Sequence, residues 1–349
     1  MRRVTVSAGA RYDVLIGEGA LGELHPYEGR LAVMLDENVA RLHRARVESA
    51  LSGRAHEVFE VPSGERYKTL ETASRAYDWL AQHRFERGEA LVAIGGGVTG
   101  DLAGFVAATW RRGVPFVQVP TTILSQVDSS VGAKVAVDHP LGKNLIGAFH
   151  PPTQVLADTA LLTTLPLRQR WSGLAEVVKT ALLAGGELFD LVERDLEGFA
   201  DATVSLDAVI ERCVEHKAAV VERDPYERGE RATLNFGHSV GHALELLAGY
   251  ESLLHGEAVA WGMRAELALA GVARGSREAQ LVRRLAVPPL PAAEVDAVLD
   301  AMRSDKKVAR GRVRFALVDS AGHVRWNVEH HDDEIRDSVR SLYEESRQS

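Results

Sequence analysis

The sequence predicts two domains: an α/β N-terminal domain with a parallel sheet over residues 1–165, and a mainly α-helical C-terminal domain over 166–349. Two observations carry this. In the first half, short apolar runs alternate with helical stretches, the strand–helix–strand order of a parallel sheet. From Arg168 to about Ala286 the apolar residues keep a helical period with little interruption. Length agrees, since 349 residues at about 150 per domain give roughly two.

The elements follow in order. Leu31-Ala32-Val33-Met34-Leu35 is a compact strand candidate ending at Asp36-Glu37-Asn38, and His56 to Val61 is a second, stopped by Pro62-Ser63-Gly64. Thr69 to His83 has helical spacing, with Ala73, Ala76, Tyr77 and Leu80 on one side. Ala90 to Ile94 is a buried-strand candidate that runs into Gly95-Gly96-Gly97. Asp101 to Thr109 reads as a small-residue helix and Phe116 to Pro120 as the next strand. Past Leu165-Pro166 the stripes are helical: Leu174, Val177, Val178, Ala181 and Leu182; then Val209, Cys213, Ala218 and Val221; then Ala258 to Val272. The tail holds a helix candidate near 292–303 and a β-like pair, Val313 to Val318 and Val324 to Val328.

Composition narrows the function. Lys plus Arg is 41 against 49 Asp plus Glu, a net charge of −8, which argues against nucleic acid as the main partner. It leaves room for a small anion held by a local cation cluster. One cysteine, Cys213, excludes an intramolecular disulfide and a cysteine metal cage. No apolar stretch of signal-peptide or membrane-span length occurs, so the expectation is a cytoplasmic protein with no membrane partner.

Three segments carry chemistry. Gly95, Gly97 and Gly100 satisfy G-x-G-x-x-G between a strand and a helix candidate, where bare backbone amides can approach a pyrophosphate. No acidic residue stands twenty positions on, where Gln118 and Val119 lie, so a glycine-rich turn without ligand stays open. Adenine or ribose contacts would come from elsewhere, with Asp36, Asn38, Glu65 and Lys68 as candidates. The second segment holds His238 and His242, spaced i, i+4 on one helical face, with His255 following. Upstream, Glu176 and Lys179 interrupt an apolar stripe, and such charges need a partner or a ligand when buried. Imidazoles and a carboxylate suit Zn²⁺ or a similar ion, and spacing alone points to His238, His242 and Glu176. In the third, Lys134, Lys143 and Asn144 lie in loop-like stretches with glycines, and Lys217, Arg231 and Lys306-Lys307 are further cations for a polyanion.

Taken together, GGGVTGD (95–101), PTT (120–122), VDSSVGAK (127–134), PLGKN (140–144), LAEVVK (174–179), LNFGHSVGH (234–242), HGEAVA (255–260) and DKK (305–307) resemble the 3-dehydroquinate synthase family, in family order and across most of the chain. The resemblance implies a Rossmann-like N-terminal domain that binds NAD, a helical domain for metal and substrate, and a homodimer. It puts the metal, Zn²⁺ or Co²⁺, on Glu176, His238 and His255, and turns His242 toward the substrate. Catalytic positions fall on Lys134, Lys143, Asn144, Lys179, Arg231, Asn235 and His242. Substrate-binding positions fall on Asp128, Lys217, Glu227, Lys306 and Lys307, with Arg112 supplied across the dimer interface. NAD contacts fall on Asp36, Asn38, Glu65, Lys68, Gly96, Gly97 and Asp101, then Thr121, Thr122, Thr164 and Leu165, with Lys134 and Lys143 also near the cofactor. The chain departs from the family at Ala133, where a second glycine is usual, and at the bulky, basic Trp110-Arg111-Arg112.

The implied substrate is a small anionic sugar phosphate, 3-deoxy-arabino-heptulosonate 7-phosphate, converted to 3-dehydroquinate and phosphate in the shikimate pathway. Transient oxidation by NAD⁺ precedes phosphate elimination, reduction and aldol closure, so the cofactor is recycled. The protein's share is positioning and charge neutralisation. Lys134 and Arg231 are assigned to the carboxylate; Asn235, His242, Arg112 and the 306–307 lysines to the phosphate. The rival readings are another sugar-phosphate cyclase, a metal-dependent glycerol-dehydrogenase-like oxidoreductase, and a non-catalytic NAD-binding module. Lys134, Lys143 and Lys179 are superfluous for an uncharged alcohol, and a binding module has no use for the metal set.

Overall fold

The computed structural model describes residues 1–249, 252–304 and 313–348. They form two compact units, Met1–Leu165 with Leu206–Pro225, and Pro166–Ser205 with Tyr226–Ser349.

The first unit holds β1 (Arg2–Ser7), β2 (Arg11–Ile16), β3 (Leu31–Asp36), β4 (His56–Val61), β5 (Ala90–Gly95), β6 (Phe116–Pro120), β7 (Lys134–His139), β8 (Gly142–Phe149) and β9 (Gln154–Ala157). Seven of these make one sheet in the order β1-β2-β9-β6-β5-β3-β4. Only the β1–β2 pair is antiparallel. The central strands are unbroken apolar runs because both faces are covered. Leu31, Val33 and Leu35 pack with Val39, Ala40 and Val47 of α1 (Glu37–Ala50). Ala32 and Met34 pack on the other face with Ala73, Ala76 and Leu80 of α2 (Leu70–Gln82) and Leu102 and Val106 of α3 (Gly97–Thr109).

Two expectations need correction here. The lysine-bearing stretch is not loop: Lys134 opens β7 and Lys143 and Asn144 sit in β8, an antiparallel hairpin. Val135 and Val137 bury into the core under α3, and β7 lies so close to that helix that a Cβ on Gly104 would be 2.3 Å from Val135 Cγ1. The second correction concerns the division into 1–165 and 166–349. After α4 (Leu167–Ala184) and α5 (Gly186–Ala200), α6 (Asp207–Arg223) returns to the first unit. It buries Val209, Ile210, Cys213 and Val214 there, pairs Glu211 with Arg2, and accepts the Ser7 N–H on Glu222 at 2.8 Å. The helical stripe was legible; which core it would join was not.

The second unit adds α7 (His238–Leu247), α8 (His255–Leu269), α9 (Arg277–Arg283), α10 (Val295–Ser304) and α11 (Asp332–Ser346), with the hairpin β10 (Phe315–Ser320) and β11 (His323–Val328). Its core joins Val240 and Leu244 of α7, Trp261 and Ala265 of α8, Val298 and Met302 of α10, Leu317 of β10, and Ile335, Val339 and Leu342 of α11. Among the described residues no helix is long and apolar enough to cross a membrane.

Ala133, the departure from the family pattern, has φ 64° and is buried. A left-handed alanine costs about 1 kcal/mol that glycine avoids. Ala133→Gly is therefore expected to stabilise the protein by about 0.5–1 kcal/mol, read as a higher midpoint of urea unfolding.

Candidate functional site

In the first unit Asp36, Gly96, Gly97, Thr121 and Thr122 stand at the carboxyl ends of the parallel strands, where open α/β sheets bind ligands. Asp36 ends β3 and caps α1, accepting from the amides of Asn38 at 2.9 Å and Val39 at 3.3 Å. Its other oxygen accepts from Ser63 Oγ at 2.9 Å, and Asn38 Nδ2 reaches the same hydroxyl at 2.7 Å. Ser63 just beyond β4 was not foreseen. At the end of β5, Gly96 is the N-cap of α3 and no side chain caps the helix, so its first amides suit an anion. Gly100 serves packing: a Cβ there would lie 2.8 Å from Gln118 Oε1 of β6. Thr121 and Thr122 follow β6, with the Thr121 amide bonded to Gly95 O at 2.9 Å. The Thr164 hydroxyl lies 2.7 Å from His43 Nε2.

Buried Lys68 anchors a charge network. Its ammonium is 2.8 Å from Asp101 Oδ2 and 3.6 Å from Glu65 Oε1. Burial opposes its charge, but Asp101, Glu65 and Asp138 outweigh burial and raise its pKa. Lys143 Nζ is 3.6 Å from the same Glu65 oxygen. Asp138, which the sequence reading passed over, ties the hairpin to this network: its amide donates to Lys68 O at 2.7 Å and its carboxylate accepts from the Asn144 amide at 2.8 Å. Burial raises the Asp138 pKa against the pull of Lys68. Asp128 and Lys217 also meet, at 2.5 Å between Nζ and Oδ1. Lys134 is exposed at the start of β7. Arg112 stands apart from the glycine loop, exposed past the far end of the 13-residue α3, about 20 Å along its axis.

The second unit gathers Glu176, His238 and His255, with one ligand atom from each lying within 4.8 Å of the others. His238 Nδ1 donates to Phe236 O at 3.1 Å, and His255 Nδ1 donates to Glu245 Oε2 at 3.2 Å. Both therefore turn Nε2 toward Glu176 Oε1, at 3.6 and 3.4 Å. Fixing Nδ1 on an oxygen acceptor is how proteins orient ligating imidazoles. Glu176 is fully buried, and neither of its oxygens has a well-aligned hydrogen bond, although Lys179 Nζ is 2.5 Å from Oε2. Burial works against its charge, yet Lys179 and His255 hold its pKa down at about 2. Burial likewise disfavours a charged His255, but Glu176 and Glu245 push it up to about 10. Two imidazoles, one carboxylate and unsatisfied buried oxygens fit a divalent cation of the Zn²⁺ type, with a fourth position left for another ligand. Such a cation displaces the His255 proton, because a ligating imidazole is neutral. His242 is close but outside the set, its ring centroid 5.2 Å from that of His238 and 6.0 Å from that of His255. The spacing-based trio of His238, His242 and Glu176 is thus replaced by Glu176, His238 and His255.

Backbone packing fixes this arrangement. Glu266 of α8 accepts the amides of Gly237 at 2.6 Å, Ser239 at 3.1 Å and Val240 at 3.3 Å, capping α7 from within the core. Helices α7, α8 and α4 approach at glycines: a Cβ on Gly262 would lie 1.9 Å from Gly237 O, and one on Gly256 would lie 1.8 Å from Ser172 O. In the same unit Arg231 is buried and Asn235 Nδ2 donates to Glu227 Oε1 at 2.8 Å. Lys306 and Lys307 lie outside the described residues.

Fold and triad define the class: a parallel α/β unit with a glycine loop, joined in one chain to a helical unit with a two-histidine, one-carboxylate site. The comparisons narrow it. Residues 58–172 match the model "3-dehydroquinate synthase N-terminal" and 173–308 match "3-dehydroquinate synthase C-terminal". A 3-dehydroquinate synthase of Pelobacter propionicus is 47% identical over 335 residues, covering 90% of this chain and 92% of its own. Among solved structures, 2-deoxy-scyllo-inosose synthase complexed with carbaglucose-6-phosphate, NAD⁺ and Co²⁺ superposes with a TM-score of 0.87 at 26% identity, covering 97% of this chain and 99% of its own. The 2-epi-5-epi-valiolone synthase of Streptomyces hygroscopicus subsp. jinggangensis, with NAD⁺ and Zn²⁺ bound, gives 0.85 at 27% identity and covers 96% and 97%. The chain belongs to the 3-dehydroquinate synthase family.

Proposed function

We propose that this chain converts 3-deoxy-arabino-heptulosonate 7-phosphate to 3-dehydroquinate and phosphate, as a carbon–oxygen lyase of the shikimate pathway, using NAD and a divalent metal. The observation that carries the reading is the Glu176–His238–His255 cluster, with Glu176 and His238 buried, both Nδ1 atoms engaged and both Nε2 atoms turned toward Glu176. When bound, the metal would supply Lewis acidity toward a ring hydroxyl and NAD⁺ a reversible hydride acceptor. In this reading Asp36, Asn38, Glu65, Lys68, Gly96, Gly97, Asp101, Thr121 and Thr122 hold the cofactor.

The rest is the work of this chain's own side chains. Lys179 keeps Glu176 ionised, and so keeps the metal site anionic. Lys134 and Arg231 take the substrate carboxylate; Asn235 and His242 take the phosphate end. Lys143 and Asn144 reach the substrate from a hairpin held in place by Asp138. Asp128 orients Lys217. No protein base is required for phosphate loss, since the leaving phosphate can take the proton itself. Arg112, exposed past the end of α3, completes the phosphate site of a second copy in a homodimer, and the enzyme works in the cytoplasm. Several lysines around the site favour this acid substrate over a neutral polyol. The test is phosphate release from the heptulosonate phosphate by protein supplied with Zn²⁺ and NAD⁺. The product expected is the carbocycle whose mass is the substrate less one phosphoric acid.

A further inference from the structure

We propose that Arg314, with Asn327 beside it, is a further substrate-binding residue that holds an oxyanion group of the substrate. The proposal rests on the functional reading above and adds a contact from the β10–β11 hairpin.

The second unit has an open, solvent-facing pocket of about 210 Å³ whose lining includes Glu227, Asn235, Arg314 and Asn327. It exceeds several-fold the ~30 Å³ share of a single water. Glu227 and Asn235 are bonded to each other, and a carboxylate with an amide can take sugar hydroxyls but cannot neutralise an anion. Arg314 supplies the cation among the described lining residues. A guanidinium is planar and forked, so one edge can keep Glu329, whose Oε1 is 3.6 Å from Arg314 Nε, while the other takes a carboxylate or phosphate in bidentate fashion.

The backbone is shaped for this wall. The β10–β11 register shifts between Phe315↔Val328 and Leu317↔Arg325, so two residues of β11, Trp326 and Asn327, stand against Ala316. Asn327 has φ 58°, the left-handed conformation that asparagine tolerates better than most residues. Bulges of this kind bend a strand and re-aim a side chain, and they gather beside active sites. At the start of the hairpin, Arg314 O accepts from Ser239 Oγ at 3.3 Å, and Ser239 follows His238. Arg314 is thereby pinned to the same turn of α7 that presents a triad member.

Arg314→Met and Asn327→Gly test the assignment; glycine keeps the left-handed backbone and removes only the amide side chain. KM and kcat for the heptulosonate phosphate are measured together with inhibition by inorganic phosphate and by quinate, a cyclic carboxylate without phosphate. Arg314→Met is expected to raise KM about 10–100-fold, the loss of a charge-assisted hydrogen-bonded contact, with metal content, NAD⁺ affinity and melting temperature unchanged. Asn327→Gly is expected to raise KM several-fold. A parallel rise in the inhibition constant for inorganic phosphate assigns Arg314 to the phosphate; a rise for quinate instead assigns it to the carboxylate. If KM and both inhibition constants stay within about two-fold of wild type, Arg314 is only a surface partner of Glu329 and the proposal falls. If the wild type does not turn over the heptulosonate phosphate, the functional reading fails. Equilibrium titration of wild type and Arg314→Met with phosphate and with quinate then still decides whether Arg314 holds an oxyanion.

Discussion

Glu176→Gln is expected to lower affinity for Zn²⁺ or Co²⁺ by at least about 100-fold and to abolish turnover. Loss of a residue that only orients a ligand costs about 10–100-fold, and loss of the ligand itself costs more. The same change strips buried Lys179 of the carboxylate 2.5 Å away. An uncompensated buried charge costs about 3–5 kcal/mol, so part of the effect would be on stability. Glu245→Gln separates the two. It leaves the Glu176–Lys179 pair intact and weakens the acceptor that orients His255 Nδ1. Metal affinity by chelator competition should fall about 10–100-fold in Glu245→Gln, with the unfolding midpoint little changed. Wild-type affinity in both variants would remove the triad from the account.

Gly262→Ala is expected to destabilise the second unit by about 3 kcal/mol or more and to weaken metal binding with it. The new Cβ would sit 1.9 Å from Gly237 O and 2.8 Å from Gly241 N, both backbone atoms of the α7 region. Neither can step aside like a side-chain tip, so α7 must shift bodily and carry His238 with it. Overpacking of this kind costs about 1–3 kcal/mol when side chains can repack, and more when backbone must move. Gly275→Ala is the control, because a Cβ there meets nothing within 4 Å. It should change stability by no more than about 0.5 kcal/mol. Urea unfolding and metal titration of the two variants read both effects.

Local pattern made much of this legible. The β3 and β5 runs were readable as strands because both faces are buried, and α2 was readable because Ala73, Ala76 and Leu80 keep a helical period. What escaped depended on distant contacts. Helix α6 shows its stripe in the sequence, but its return to the first unit is decided by Arg2, Ser7 and the core it meets there. The β7–β8 hairpin was hidden by the glycines and lysines around it, while Val135 and Val137 carried the alternation. At the metal site, i, i+4 spacing singles out His238 and His242, yet the cluster takes its second histidine from the start of α8, held by Glu245. Family resemblance, not periodicity, pointed to His255. Glu266, Asp138 and Ser63 act through backbone amides or neighbouring side chains, and no spacing rule marks them. The glycines at 256 and 262 read as ordinary helix residues until the approach of Ser172 and Gly237 is known.

The central claim is that the cofactor is recycled within each turnover. The measurement is phosphate released per NAD⁺, with Zn²⁺ present, heptulosonate phosphate in large excess over NAD⁺, and NADH absorbance followed in parallel. The account predicts many phosphates per NAD⁺ and no lasting NADH signal. NADH accumulating in step with turnover, or phosphate release that stops at one per NAD⁺, would contradict it.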